Sequence, residues 1–366
     1  MADLRDRFSE LDRIDAPDVW RRVEGLGPRS PREEPPRVVT RVLVAVFALI
    51  IAGVGIALAV KALGRSSSPS SLPPSPTPSQ PPTPPANAIV FANAASDSLD
   101  ARIEVGYVSA SGGDVVSLTT AGKDGMAAAE PRWSPDGSRI AFVMSPVGHL
   151  TRYAGDGDIY VMNADGTGIR RLTDELGDSS PTWSPDGSQI AFVKGQGQEL
   201  VVMRADGSDQ HVIARARGYY QSPTWSPDGR EIAYQSSPNR NIDVTAIFTI
   251  RPNGTNERQL TSASAAAGFP AWSPDGSRIA YAAEDQVWIM NSDGTDPHRL
   301  TNCRLQCVAD FAPSWSTDGS ALVFVQQEDD GAARRLYILD LATDQVKPLT
   351  PRIRWAGSPD WRPSPG

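Results

Sequence analysis

Three histidines, at positions 149, 211 and 298, and two cysteines, at 303 and 307, are the chain's whole supply of imidazole and thiol ligands. Imidazole is the side chain that titrates near neutral pH, and zinc sites draw on His and Cys in sets of three or four. Here the five are scattered, and no G-x-S-x-G element frames a nucleophile. Nor does a spaced calcium-loop motif surround Asp156 and Asp158, or Asp165 and Asp293. No metal, no cofactor and no catalytic residue are expected. Recognition chemistry is better supplied. His149, Tyr153, Arg215, Arg217, Tyr219, Tyr220, Phe269, Phe311, Arg354 and Trp355 bring aromatic and guanidinium groups, which dominate binding hot spots, to stretches between regular motifs.

Those motifs repeat. Six tryptophans recur in one context: PRWSPDGSRIAF (131–142), PTWSPDGSQIAF (181–192), PTWSPDGREIAY (223–234), PAWSPDGSRIAY (270–281), PSWSTDGSALVF (313–324) and PDWRPSPG (359–366). Between them falls a second motif: IYVMNADGTGIRRLT (159–173), LVVMRADGSDQHVIA (200–214), IFTIRPNGTNERQLT (247–261), VWIMNSDGTDPHRLT (287–301) and LYILDLATDQVKPLT (336–350), with a degenerate copy at 106–120. Ser-Pro-Asp-Gly is a type I turn in its preferred residues, and Asn-Ala-Asp-Gly suits a turn with glycine in a left-handed bulge. Ile-Ala-Phe and Ile-Tyr-Val-Met are β-branched and aromatic runs that favour strands. Four short strands in a period of 40 to 50 residues predict propeller blades. Five repeats are complete. The sixth has its second strand at Asn87–Phe91 and its last two within 106–119, and Ser358–Trp361 is expected to supply its first strand and close the ring.

The pattern closely resembles the TolB-like, WD-repeat-like β-propeller family, whose signature is W-S-P-D-G-x-x-I-A-F. The resemblance covers about 88–366, and it implies an all-β, six-bladed propeller outside the cytoplasmic membrane that mainly binds other molecules. TolB itself carries an α/β domain before its propeller and partners a peptidoglycan-associated lipoprotein. A membrane anchor and a stalk stand in that domain's place here, so neither Tol partner is carried over.

In an up-and-down blade the first-to-second and third-to-fourth connections share one face, which the tight SPDG and ADG turns leave plain. The longer connections (144–158, 235–244 and 325–335 within blades; 120–130, 174–180, 214–222, 262–269, 302–312 and 351–358 between them) fall on the other face and carry the ten recognition residues. Trp133, Trp183, Trp225, Trp272, Trp315 and Trp361 are expected to pack between neighbouring blades. The SPDG aspartates are expected to bond their own turns, and Cys303 and Cys307 to form a local disulfide. The expected function is a non-catalytic binding module for a protein or cell-envelope component. The alternative is a metal-dependent hydrolase or lyase with its site in the funnel. No hydrolase domain is expected beyond the repeats.

The first 87 residues are of another kind. Residues 1–41 hold nine Arg and nine Asp or Glu, and Leu4, Phe8, Leu11 and Ile14 line one face of a short helix. Val42–Val60 runs 19 residues without a charge, which as a helix spans ~28 Å of bilayer, and the expected transmembrane segment is 42–63. Ala57-Leu58-Ala59 offers a signal-cleavage pattern as the competing reading, but the polar region before it is 41 residues long. Five arginines within twenty residues before the span, against Lys61 and Arg65 after it, place the N-terminus in the cytoplasm. Residues 64–87 form a Pro/Ser-rich linker, with nine prolines between Ser66 and Ala86, that reads as an extended stalk. The remaining 88–366 carries 24 basic and 34 acidic side chains, a net of −10, which disfavours nucleic acid as a partner. Signalling to the cytoplasmic tail is an added option, and oligomeric state is left open.

Overall fold

Runs of β-branched and aromatic residues broken by Asp-Gly turns give short antiparallel strands, and among the described residues helix is confined to short 3-10 turns such as Ala263–Ala265. The computed structural model describes residues 83–94, 103–120, 125–146, 157–175, 177–215, 218–237, 244–302, 307–328, 333–350 and 355–363. The tail, the expected membrane segment and the linker up to residue 82 lie outside the described residues. Among the described residues, no helix is long and apolar enough to cross a membrane.

β1 (Ala88–Ala94), β2 (Glu104–Ser109) and β3 (Val116–Ser117) are three strands of a blade that lacks its first. Blade one is β4 (Met126–Trp133), β5 (Arg139–Pro146), β6 (Asp158–Asn163) and β7 (Arg170–Arg171). Blade two is β8 (Ser179–Trp183), β9 (Gln189–Lys194), β10 (Glu199–Arg204) and β11 (His211–Arg215). Blade three is β12 (Tyr219–Trp225), β13 (Ile232–Ser237), β14 (Ala246–Ile250) and β15 (Arg258–Gln259). Blade four is β16 (Gly268–Trp272), β17 (Arg278–Ala283), β18 (Gln286–Asn291) and β19 (His298–Arg299). Blade five is β20 (Cys307–Trp315), β21 (Ala321–Glu328), β22 (Arg334–Asp340) and β23 (Gln345–Pro348). The last strand, β24 (Trp355–Trp361), pairs antiparallel with β1, with Ile89 opposite Trp361 and Asn93 opposite Ala356. It completes blade six, so this is a six-bladed propeller closed by strands from both ends of the repeat region. The first strand of every blade packs on the first strand of the next, all the way round.

The turns hold themselves. In blade one the Gly137 N–H donates to the Ser134 carbonyl (2.8 Å), Asp136 Oδ1 accepts from the Ser134 hydroxyl (2.6 Å) and the Ser138 N–H (3.0 Å), and Ser134 Oγ accepts from the Arg139 N–H (2.9 Å). The same bonds recur around Asp186, Asp275 and Asp318. A second bracket explains the recurrent Leu-Thr. The hydroxyls of Thr119, Thr173, Thr261, Thr301 and Thr350 accept from the N–H groups of Val105, Ile159, Ile247, Val287 and Leu336, pinning the end of the fourth strand to the third in every blade but the second, where Ala214 stands in the threonine's place.

The core lies between blades, one apolar cluster to each interface. Trp183 packs with Ile190 and Phe192 of its own blade against Val143 and Ile159 of the blade before. Trp133, Trp225, Trp272, Trp315 and Trp361 take the same place at the other five interfaces. The Trp183 and Trp315 indoles donate to the preceding blade's Arg132 and Ala271 carbonyls (3.3 and 3.0 Å). Arg139, Arg278 and Arg362 lay guanidinium groups over Trp183, Trp315 and Trp133, at 4.6, 5.2 and 5.2 Å.

Candidate binding site

Each first strand carries a bulge three residues before its tryptophan. Glu130, Ser180, Ser222, Phe269, Ala312 and Ser358 have φ between +49° and +54°, and each is followed by proline. The ladder slips at every one of them. Proline has no N–H to leave unpaired where the pairing is broken, so the Pro of the repeat fits the bulge. Six bulges make a ring around the central channel.

Towards the SPDG turns, the channel opens into a cavity of about 600 Å³. The residue just before each tryptophan lines it: Arg132, Thr182, Thr224, Ala271, Ser314 and Asp360. Asp360 accepts from the Trp133 N–H (2.7 Å) and from the Ser314 hydroxyl (3.4 Å), which joins three blades at the closure. Its enclosed position pushes its pKa up to about 6, against the opposing pull of Arg132.

A cleft of about 480 Å³ lies at the opposite end, towards the long connections. Tyr219, Phe269 and Phe311 line it together with Gln221, Gln235, Gln327, Arg334 and the pair Glu284–Asp285. Phe269 also lines the channel cavity, so it stands between the two spaces. The Phe269 and Phe311 rings are 5.9 Å apart, and the Arg334 guanidinium lies 5.3 Å from the Phe311 ring centre. Phe269 is 36% exposed, and its N–H donates to Gln235 Oε1 (3.3 Å).

The remaining expected recognition residues divide. Tyr220 does not join the cleft. It is buried in the interface of blades two and three, edge-on to Tyr234 at 5.3 Å, and burial pushes its pKa up to about 12. It was expected in a connection, but β12 begins one residue earlier, and neighbouring strand residues face opposite ways. Arg215 ends β11 and pairs with Glu199. Phe269 and Phe311 likewise belong to first strands rather than to the connections before them. His149, Tyr153, Arg217, Arg354 and Cys303 lie outside the described residues, as do the side chains of Trp355 and Cys307, so the expected disulfide is also outside them.

His211 and His298 sit exposed on the outermost strands β11 and β19. Asp165 and Asp293 bond their own turns through Thr167 and Thr295. Among the described residues no three His, Cys, Asp or Glu side chains are grouped to hold a metal ion. One acidic pair stands apart. Asp158 Oδ2 accepts from Arg171 (2.8 Å), whereas Asp158 Oδ1 and both oxygens of Asp178 are buried without a hydrogen bond. Burial pushes Asp178 up to about 7, and the Thr173 hydroxyl and Lys194 oppose this only partly.

The model of the TolB beta propeller domain matches residues 103–199 and 194–365. The chain belongs to that family. No curated protein matches it. Among solved structures, this TolB-type propeller is similar to TolB from Acinetobacter baumannii, at 19% identity and TM-score 0.62, covering 76% of this chain and 67% of that one. It is similar to a chain of a nidogen/laminin complex at 13% identity and TM-score 0.59, covering 76% and 99%. It also resembles a chain of Kuenenia stuttgartiensis hydrazine synthase at 13% identity and TM-score 0.56, covering 77% and 47%. At these identities the likeness is one of fold, and function has to be argued from the site.

Proposed function

We propose that the protein is a membrane-anchored binding propeller whose long-connection face holds a protein or cell-envelope component outside the cytoplasmic membrane. The cleft of Tyr219, Phe269 and Phe311 carries this reading, because it sets partly exposed aromatic side chains at the mouth of the channel. Family membership supports a binding role, and the nidogen/laminin neighbour is itself a protein–protein complex. In this reading residues 1–41 are cytoplasmic, 42–63 span the membrane, 64–87 form the stalk and 88–366 present the propeller, without catalysis. A ligand signal would pass to the tail through the span.

The test is capture from the host's envelope by the full chain in detergent. A partner that is held by the wild type and by Asp275→Asn, but lost by Phe269→Ala/Phe311→Ala, supports the face assigned here. Equal capture by all three places the interface elsewhere.

A further inference from the structure

Blade four departs from the other blades at its second-to-third connection. β17 and β18 are joined by Glu284 and Asp285 alone, with φ of +50° and +59°. A two-residue hairpin turn with both central residues left-handed ordinarily takes Asn-Gly, because side chains beyond Asn and Asp are strained there. Phe269 likewise occupies, at φ +54°, a bulge position where the other blades carry Ser180, Ser222, Ala312, Ser358 and Glu130. Glu284 and Phe269 are thus side chains in unfavourable backbone geometry, and with Asp285 they line one cleft, which is where strain tends to serve a site.

The three suit one chemistry. Glu284 and Asp285 are exposed at the cleft, and no described residue bonds or pairs with either carboxylate. Phe269 presents an open ring, and its neighbour Phe311 already carries a guanidinium on its face. An aromatic face beside free carboxylates attracts a cation whose stem is apolar. Among the described residues of the lining Arg334 is the one basic side chain, so these give the cleft two carboxylates against one guanidinium, within a region of net charge −10. Resting on the binding role above, we infer that this cleft takes an arginine or lysine side chain of a partner protein. The stem lies on Phe269 and the cationic head meets Glu284 and Asp285.

The probe is a fluorescein-labelled Gly-Arg-Gly-Arg-Gly peptide, with Gly-Gln-Gly-Gln-Gly as the neutral control, titrated by anisotropy into the full chain in detergent. Glu284→Asn/Asp285→Gly removes both charges and installs the preferred turn, so it folds at least as well as the wild type. The expected result is a loss of affinity of tenfold or more for that variant and severalfold for Phe269→Ala. Arg334→Gln should bind more tightly, and Asp206→Asn/Asp209→Asn, on the SPDG face, should be unchanged. Wild-type affinity that falls equally with either acid pair, or absence of binding at millimolar peptide, overturns the inference. Envelope capture separates the two ideas. Capture lost in Phe269→Ala but untouched in Glu284→Asn/Asp285→Gly keeps the binding role and rejects the basic side chain as its anchor.

Discussion

The two faces of this propeller use the same residue types in opposite ways. On the SPDG face the aspartate of each SPDG or STDG turn is held by its own turn, and Asp136, Asp275 and Asp318 are kept down to about 2, first of all by the serine hydroxyl that opens the turn. On the long-connection face Glu284 and Asp285 hold no described partner, and Asp178 is buried with neither oxygen bonded. The comparison teaches that the repeat consumes the hydrogen-bonding capacity of one face in making turns. The other face, where the repeat is interrupted, keeps side chains available for a ligand.

The largest expected effect falls on what both faces share. Trp183→Ala should destabilise the propeller by ~3–5 kcal/mol, read as a lower urea midpoint, because it empties the cluster between blades one and two. A small change would mean that the ring closes without its inter-blade tryptophans.

Next is pH, where the two faces should act in opposite senses. Asp178 is raised in the folded state to about 7, so the fold holds its proton more tightly than the unfolded chain does. Its contribution is complete below the unfolded carboxylate pKa and is lost as pH rises from ~4 through ~7, worth at most ~4 kcal/mol. The SPDG aspartates are lowered, so their contribution is present above ~4 and is lost as pH falls towards ~2. Thermal midpoints of Asp178→Asn should therefore decline less between pH 4 and 7, with the remaining decline coming from Asp360 and ending near pH 6, while keeping the acid limb. A variant whose whole profile matches the wild type would break the contrast.

Much of this architecture was legible in advance because turn chemistry is local. Ser-Pro-Asp-Gly specifies its own bonds, Leu-Thr brackets the third strand, and the absent first strand at one end matched the spare one at the other. The site was less legible, since it depends on where a strand begins. Tyr219 and Tyr220 look equivalent in a connection, and only the start of β12 turns one to the cleft and the other to the core. Glu284 and Asp285 carry no length signal in the sequence, because among the described residues they form the shortest link on their face. Arg334 and Asp360 act through neighbours distant in sequence, Phe311 and Trp133, which periodicity does not reveal.

The smallest stability effect sharpens the comparison most. Phe269→Gly relieves a left-handed side chain and removes a partly exposed ring, so unfolding free energy should move by no more than ~1 kcal/mol. Envelope capture should nevertheless fall severalfold. A large stability loss without a binding loss would make Phe269 a packing residue.

The most direct measurement of the binding face is site-specific photocrosslinking of the full chain in its host's membranes. Benzoylphenylalanine would be placed at position 269 in one variant and at position 293, in a turn of the SPDG face, in another. A discrete higher-mass adduct from 269 and none from 293 is the predicted result. An adduct from 293 with none from 269 would contradict the assignment of the long-connection face as the one that binds.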